Sequence, residues 1–265
     1  MSLKRVMIGT AILLLLVAIT IAMRGESGGA SHQLSWFALI GLMLTLLGML
    51  LLWVVRDYKA WIALGPGGVP HNIFGWIIIT AMRPLGGDPF DRSGFEARIG
   101  EKGDSLFLKN LPERGRDRPT VAPHPVPHRQ IDQIPDAQIL KGLADIFEQL
   151  VKEKDRLLEN KLSQYEKRNF AVWLKEPAKG NPAAGGGGEI AHFHHSDGSM
   201  HAILSPSDAK VVMEKGWGEL HQMARFKRVF PTETYVLLYA PTCAEDLPII
   251  RGIIEAAVQY AQPQQ

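Results

Sequence analysis

Histidines concentrate between residues 189 and 221, at spacings that suit proton transfer or metal binding. Asp197-Gly198 lies between two alternating runs and predicts a hairpin with a two-residue turn, in which His194 pairs with His201. Because side chains alternate faces along a strand, this register places His192, His194 and His201 on one face. A three-residue loop with a bulge would shift the second strand by one residue and separate them.

The opposite face of the predicted hairpin is apolar and would pack on the core, with His195 at its open end. It carries Ala191, Phe193, Met200, Ala202 and Leu204. This alternation of apolar and polar positions is typical of a strand pair with one buried face.

The chain after the hairpin can bring a fourth histidine to the same place. Ser205 is a good helix cap and predicts a helix over Pro206–Lys215, which Gly216 would end. The glycines on either side of Trp217 allow a tight turn, so we expect His221 to return to the histidine face.

Three interpretations of the histidines remain open from the residue types. They could be structural, bonding each other, water and backbone carbonyls on a half-exposed sheet face. Two histidines at i and i+2 with a third across the ladder could instead bind zinc or iron and leave one position open. In the third interpretation they perform metal-free acid–base chemistry, since the unperturbed pKa of histidine is roughly 6.5.

Short motifs around these histidines carry a family resemblance. They are A-H-x-H at 191–194, D-G-S-x-H at 197–201, D-A-x-x-V at 208–212, G-W-G-E-x-H at 216–221 and L-x-Y-A-P at 237–241. In this order they resemble the fungal luciferase family and its wider luciferase-domain relatives. Arg56-Asp57-Tyr58, Gly65-Pro66 and Pro70-x-Asn72 are similar to the membrane-proximal segment of that family, so the resemblance runs from about residue 56 to residue 261.

The resemblance implies oxygenation and decarboxylation of 3-hydroxyhispidin, a styryl-pyrone, with molecular oxygen as co-substrate, no cofactor and no metal, and with or without light. It implies that the base and the hydrogen-bond donors are among His192, His194, His201 and His221. Trp217 and Tyr239 are candidate pocket walls, although core packing would also account for both. His124 and Glu219 are further candidates for substrate binding. The alternative from another class is a membrane-tethered module that binds an aromatic small molecule without turnover.

Composition limits the classes of protein that fit. The 265 residues, 46% of them hydrophobic, can supply one membrane anchor and one globular domain. A formal net charge of +2, without a basic run interleaved with aromatics, argues against a nucleic-acid partner. The single cysteine, Cys243, excludes an internal disulfide framework and suits a reducing compartment.

Residues 1–55 are expected to form a membrane anchor of two helices, at about 6–23 and 35–55, because two long apolar runs lie close together. Basic residues are more frequent outside the two runs than in their connector. We therefore expect both ends on the cytosolic side of an endomembrane, with a lipid bilayer as partner. A cleaved signal followed by one anchor is the alternative, and it would invert the domain.

Residues 56–135 predict a membrane-proximal connecting segment. Within it Ile73–Met82 is apolar but too short to span, and could lie on the bilayer surface or under the domain. Ser105–Leu108 could be a short strand. The proline-rich stretch 112–128 is expected to be an extended segment packed over the domain, with His128 solvated.

Residues 136–265 predict a small α+β domain, an antiparallel sheet with helices on one face. The expected elements are an amphipathic helix over Ala137–Asn160, strands at Phe170–Leu174 and Thr234–Ala240, and a final helix to Tyr260. Thr242 with Glu245 three residues later predicts a capping box for that helix.

Overall fold

The computed structural model describes residues 20, 30–177, 181, 187–226 and 232–262. The chain divides into two compact units at Ala60, and each is described by itself. The first contains most of a long apolar helix, and the second contains the sheet domain.

The long helix, α1, covers Ala30–Ala63 and includes the predicted second apolar segment. Its stretch Trp36–Ala63 is long and apolar enough to cross a membrane. The first predicted segment, 6–23, lies outside the described residues apart from Thr20. The structure therefore contains one candidate spanning helix among the residues that it describes.

The sheet domain contains one antiparallel sheet of six strands, in the order β1-β2-β3-β4-β6-β5. The strands are β1 Leu158–Leu162, β2 Phe170–Leu174, β3 Glu189–Phe193, β4 Met200–Ile203, β5 Gly218–Leu220 and β6 Tyr235–Leu238. β-Branched and aromatic residues occupy the predicted strands at 170–174 and 234–240, and both predictions are confirmed. The predicted α+β class is confirmed with them.

Helices α3 (Ala137–Glu153) and α5 (Asp246–Tyr260) pack their apolar faces on one side of this sheet. The rings of Phe147 on α3 and Phe193 on β3 lie 5.0 Å apart in that core. The prediction that α3 continues to Asn160 is wrong, since it ends at Glu153 and the chain enters β1. Pairing of all five β1 residues with β2 outweighs the helical periodicity of the sequence there.

The termini of the two later helices show one prediction confirmed and one corrected. Helix α4 covers Pro206–Glu214, and Ser205 caps it by accepting a hydrogen bond from the Asp208 amide at 3.0 Å. No capping box forms at α5. The carboxylate of Asp246 instead accepts a hydrogen bond from the amide of Thr242 at 2.8 Å.

Helix α2, Ile73–Met82, lies on the domain with one face buried, and Asn72 caps it by accepting hydrogen bonds from two amides. No strand forms at Ser105–Leu108. Its backbone follows the start of α4 instead, where the Asp208 carboxylate accepts hydrogen bonds from the amides of Phe107 and Leu108, each 2.9 Å. Segment 112–128 is irregular, with an isolated bridge at Val121 and bends at 123–127, and several of its residues are buried.

Candidate active site

The predicted histidine face exists, but with a different pairing. His192, not His194, lies opposite His201 across the β3–β4 ladder. The ring centroids of His192 and His194 lie 5.4 and 5.2 Å from that of His201. The predicted pair of His194 with His201 is therefore wrong by two residues. Because two residues is one full period of a strand, the three rings still share a face.

The loop of this hairpin explains the shift. It contains four residues, 195–198, whereas two or three were expected. Two hydrogen bonds of 2.8 Å close it. The His194 amide donates to the Ser199 carbonyl, and the Gly198 amide donates to the His194 carbonyl. Gly198 has φ of 73°, whereas Asp197 has no positive φ and uses its carboxylate to accept from the Ser199 amide at 2.9 Å. A type I′ turn needs positive φ at both central residues, so Asp197-Gly198 does not form one here.

Two further histidines from distant parts of the chain join the cluster. β5 pairs with β6 and brings His221 to within 5.2 Å of His201 between ring centroids, which confirms the predicted return. His128 comes from the proline-rich segment, 4.7 Å from His221 and 5.6 Å from His201. The expectation that His128 is solvated is wrong, since only 2% of it is exposed.

All of these rings except that of His194 form one wall of a cavity of about 390 Å³, a size typical of small-molecule sites. Four histidines and two tyrosines line it, namely His128, His192, His201, His221, Tyr165 and Tyr235. Ile79 and Met82 of α2, with Val126 and Pro127, supply apolar surface. The ring of Tyr235 stacks on His201 at 4.9 Å, and burial holds the pKa of its hydroxyl well above the ordinary value.

His192 is paired with a buried carboxylate. Its Nδ1 lies 2.6 Å from Oε1 of Glu189, which begins the same strand. Ser163 Oγ and the Gln164 amide each donate to that carboxylate at 2.8 Å, so its position is fixed. An ionised carboxylate only accepts, so Nδ1 of His192 carries a proton and a neutral ring keeps its Nε2 lone pair for another partner.

The backbone sets the tautomers of two more rings. The Met223 amide donates to Nδ1 of His221 at 3.1 Å, so a neutral His221 carries its proton on Nε2. His201 donates from Nε2 to the carbonyl of His128 at 3.3 Å, which leaves its Nδ1 as an acceptor. Burial, reinforced by neighbouring histidines, lowers the pKa of both rings well below the ordinary value, so both are neutral at pH 7.

His194 is buried behind the cavity and has both nitrogens engaged. Nδ1 lies 2.8 Å from Ser199 Oγ, and Nε2 lies 3.2 Å from Oε1 of Glu166. Arg129 donates to both oxygens of Glu166, at 3.0 and 2.7 Å. Burial opposes the charge of Glu166, but His194 and Arg129 outweigh it and lower the pKa of this carboxyl. His194 therefore contacts the rings of His192 and His201 but does not line the cavity itself.

Comparison with known proteins finds similarity to fungal luciferases. The Luciferase domain family model matches residues 187–257, from just before β3 into α5. Proteins named Luciferase from Armillaria ostoyae and Armillaria mellea are each 29% identical to the chain over 220 residues, covering 78% of this chain and 81% of the relative. One from Neonothopanus nambi is 26% identical over 219 residues, covering 77% and 80%. The chain is therefore similar to fungal luciferases over most of its length. No solved structure matches it significantly.

The four residues considered for substrate binding do not line the cavity. Trp217 lies in the core and donates from Nε1 to the Pro112 carbonyl at 2.7 Å. His124 is buried elsewhere in the proline-rich segment. Tyr239 and Glu219 lie behind His128 and form part of its surroundings.

Glu219 is held in a buried hydrogen-bond network beside His128. Arg118 donates to its two oxygens at 2.6 and 2.8 Å, and the Tyr239 hydroxyl donates at 2.6 Å. Nε2 of His128 lies 3.7 Å away, beyond hydrogen-bonding distance. Burial opposes the charge, but contacts with His128, Arg118 and Tyr239 outweigh it and lower the pKa of Glu219 to about 2.

The histidines also offer two possible metal-binding sets, His128 with His201 and His221, and His192 with His194 and His201. Within each set the ligand atoms lie within 4.8 Å of one another. Tetrahedral zinc with Zn–N of about 2.0–2.1 Å needs nitrogens roughly 3.3 Å apart, so the rings would have to move closer. The first set fits better, because both nitrogens of His194 are already engaged.

Sequence reasoning missed Glu189, Glu166 and Arg129, which fix the proton states and positions of the histidines. Only Glu189 had a local signal, since it precedes His192 by three residues in the same run. Glu166 contacts His194 from 28 residues away in sequence, and Arg129 donates to Ser196 from 67 residues away, so no local pattern marks either contact.

Proposed function

We propose that this chain is a membrane-anchored luciferase-like oxygenase. It oxygenates and decarboxylates a 3-hydroxyhispidin-type pyrone with molecular oxygen, without a separate cofactor, and with or without light. The similarity to fungal luciferases supports a luciferase-like activity, and the pairing of His192 with Glu189 at the cavity supports the chemistry.

His192 is the base in this proposal. With Glu189 holding the proton on Nδ1, the lone pair on Nε2 takes the proton of the enolic hydroxyl of the pyrone. The imidazolium that forms is stabilised by the carboxylate 2.6 Å away, the role that a buried acid plays beside a histidine base. General acid–base help of this kind contributes typically 10²–10⁴-fold in rate.

The resulting enolate is electron-rich enough to react with oxygen directly. Its carbon forms the new C–O bond, the peroxide closes onto the ring carbonyl, and carbon dioxide leaves to give a caffeylpyruvate-type product. His221 lines the cavity beside His192, and in this proposal its Nε2–H donates to the developing oxyanion. Ile79 and Met82 help to exclude water, which would otherwise weaken these interactions.

Oxygen uptake by the purified full-length protein with 3-hydroxyhispidin tests the proposal, with carbon dioxide release as the second readout. We expect both with the unchanged protein, and losses of the order of 10²-fold or more in His192→Ala. His195→Ala is the matched control, because His195 is exposed on the other face of the hairpin. Saturable binding of the pyrone without oxygen uptake would refute the oxygenase and support a non-catalytic binding module.

A three-histidine metal enzyme is the second candidate, favoured by the close approach of His128, His201 and His221. It predicts stoichiometric zinc or iron in the purified protein and loss of oxygen uptake together with the metal on chelation. The cofactor-free proposal predicts that a chelator leaves uptake unchanged. His128→Ala separates the two further, because it removes a metal ligand but not the base.

We propose that the anchor is a two-pass helical hairpin in an endomembrane, with the sheet domain on the cytosolic side. The apolar stretch Trp36–Ala63 supports membrane attachment. Addition of protease to sealed microsomes should degrade the sheet domain. Its protection would instead indicate a single anchor after a cleaved signal.

A further inference from the structure

Helix α2 has an outer face that is apolar and uncovered. At 3.6 residues per turn, five exposed residues fall within an arc of about 140°, with no charged side chain among them. They are Ile73, Phe74, Ile77, Ile78 and Ala81, and Phe74 is 69% exposed. Helix α3 of the same domain instead exposes charged residues such as Lys141 and Glu148. A continuous apolar stripe of this kind marks an interaction surface.

The inner face of the same helix forms part of the cavity. Ile79 and Met82 line it, and Trp76 is buried with them against the domain. A Cβ at Gly75 would lie 1.9 Å from the Pro70 carbonyl oxygen, so the helix packs directly on the turn that precedes it. The thickness of one helix therefore separates the cavity from whatever contacts the outer stripe.

The cavity is bordered by exposed residues beside the N-terminal end of α2. Gln164 and Lys167 line it and are exposed, together with the partly exposed Gly68 and Val69, which lie a few residues before Ile73. Arg168 is exposed next to Lys167, whereas the acids Glu166 and Glu189 beside this border are buried and hydrogen-bonded. This border is therefore basic as well as adjacent to the apolar stripe.

A lipid bilayer fits this surface. Residues 64–72 alone separate α2 from α1, whose stretch Trp36–Ala63 could cross a membrane, so the stripe is tethered close to any bilayer that α1 enters. A helix with an apolar face and basic flanks is the pattern of an interfacial helix on anionic lipid. We propose that α2 lies in the bilayer surface, with its outer face among the acyl chains and the cavity mouth at the lipid–water boundary. This inference does not depend on the proposed reaction.

Depth measurements on the full-length protein in phosphatidylcholine–phosphatidylserine vesicles test the inference. Cys243→Ser provides a background without thiols, into which Phe74→Cys or Ile78→Cys is introduced and labelled with an environment-sensitive fluorophore. We expect blue-shifted emission and loss of fluorescence with lipids spin-labelled on their acyl chains. A label at Lys167→Cys should be quenched by head-group spin labels instead, and a label at Lys141→Cys by neither.

Labels at Phe74→Cys and Ile78→Cys that are quenched no more than the label at Lys141→Cys would overturn the inference. So would cross-linking between two copies through Ile78→Cys without quenching, since the stripe would then be a protein–protein interface. All of these positions are exposed, and thermal unfolding of each variant checks that the fold is retained.

Discussion

Mild acid should destabilise this protein through its buried histidines. Burial lowers the pKa of His201 and His221 well below the ordinary value in the folded state, and lowers that of His194 as well. The unfolded chain therefore binds more protons as the pH falls through about 6.5, the unfolded pKa of histidine. The free energy of unfolding is highest above that pH, falls as the pH decreases through it, and levels off below the folded-state pKa values.

The magnitude follows from linkage. A histidine that stays neutral in the folded state between pH 7.5 and 5.5 removes about 1.4 kcal/mol of stability over that interval. His201 and His221 together give at most about 3 kcal/mol, with a smaller addition from His194. Typical domains have only about 5–15 kcal/mol in total, so the effect is large enough to measure. Acids with lowered pKa values, such as Glu166, lose their contribution at lower pH and do not interfere.

Urea unfolding of the full-length protein in detergent, followed by tryptophan fluorescence between pH 7.5 and 5.5, measures this dependence. His201→Gln should reduce the pH slope by up to half, and His221→Gln serves if the first variant is too unstable. His195→Gln should reduce the slope less than either of these variants, because that ring is exposed and its pKa is lowered only by partial burial. A free energy of unfolding that stays constant or rises towards pH 5.5 would refute the reasoning, because the histidines would then be charged in the folded protein.

Three further predictions follow from individual contacts. Glu189→Gln should lower kcat for oxygen uptake by roughly 10²–10⁴-fold with a smaller change in KM, because the imidazolium of His192 loses its carboxylate partner. An unchanged kcat would exclude the pair of His192 and Glu189 as the base. Gly218→Ala should cost about 1–3 kcal/mol in urea unfolding, because its Cβ would lie 2.5 Å from the Leu237 carbonyl oxygen. Gly252→Ala, within α5 and with open space around the added Cβ, should instead stabilise the fold by roughly 0.5–1 kcal/mol. Equal effects of the two substitutions on the free energy of unfolding would contradict the packing around Gly218.

The hairpin shows what strand periodicity can and cannot predict. The faces of His192, His194 and His201 came out as predicted, because an error of two residues in register leaves every side chain on its original side. The partner across the ladder came out wrong, because it depends on the loop. Whether Asp197 adopts positive φ or caps the loop with its carboxylate depends on its surroundings, which the residue pair alone does not specify.

The segment around His128, which helps to bury the histidine face, could not be placed from the sequence for a different reason. The solvated state expected for His128 followed from its proline-rich neighbours, yet its segment is fixed by contacts far along the chain. Arg129 donates to the Leu64 carbonyl at 2.5 Å and to the Glu166 carboxylate, and Trp61 Nε1 donates to the Val126 carbonyl at 2.9 Å. Such contacts join residues 37 to 65 positions apart and leave no periodic signal.

The segments that bury the histidine face determine the protonation of the site as much as the histidines do. The rings of His201 and His221 have low pKa values chiefly because they are buried, and α2 supplies part of the surface that buries the cavity. In water the same rings would be partly protonated near pH 6.5, and the donors and acceptors fixed by the backbone would be lost. If α2 rests on lipid, the bilayer helps to keep water away from the side of the cavity that α2 forms. Detachment from the membrane would then admit water to the site and raise the histidine pKa values without any substitution of a catalytic residue.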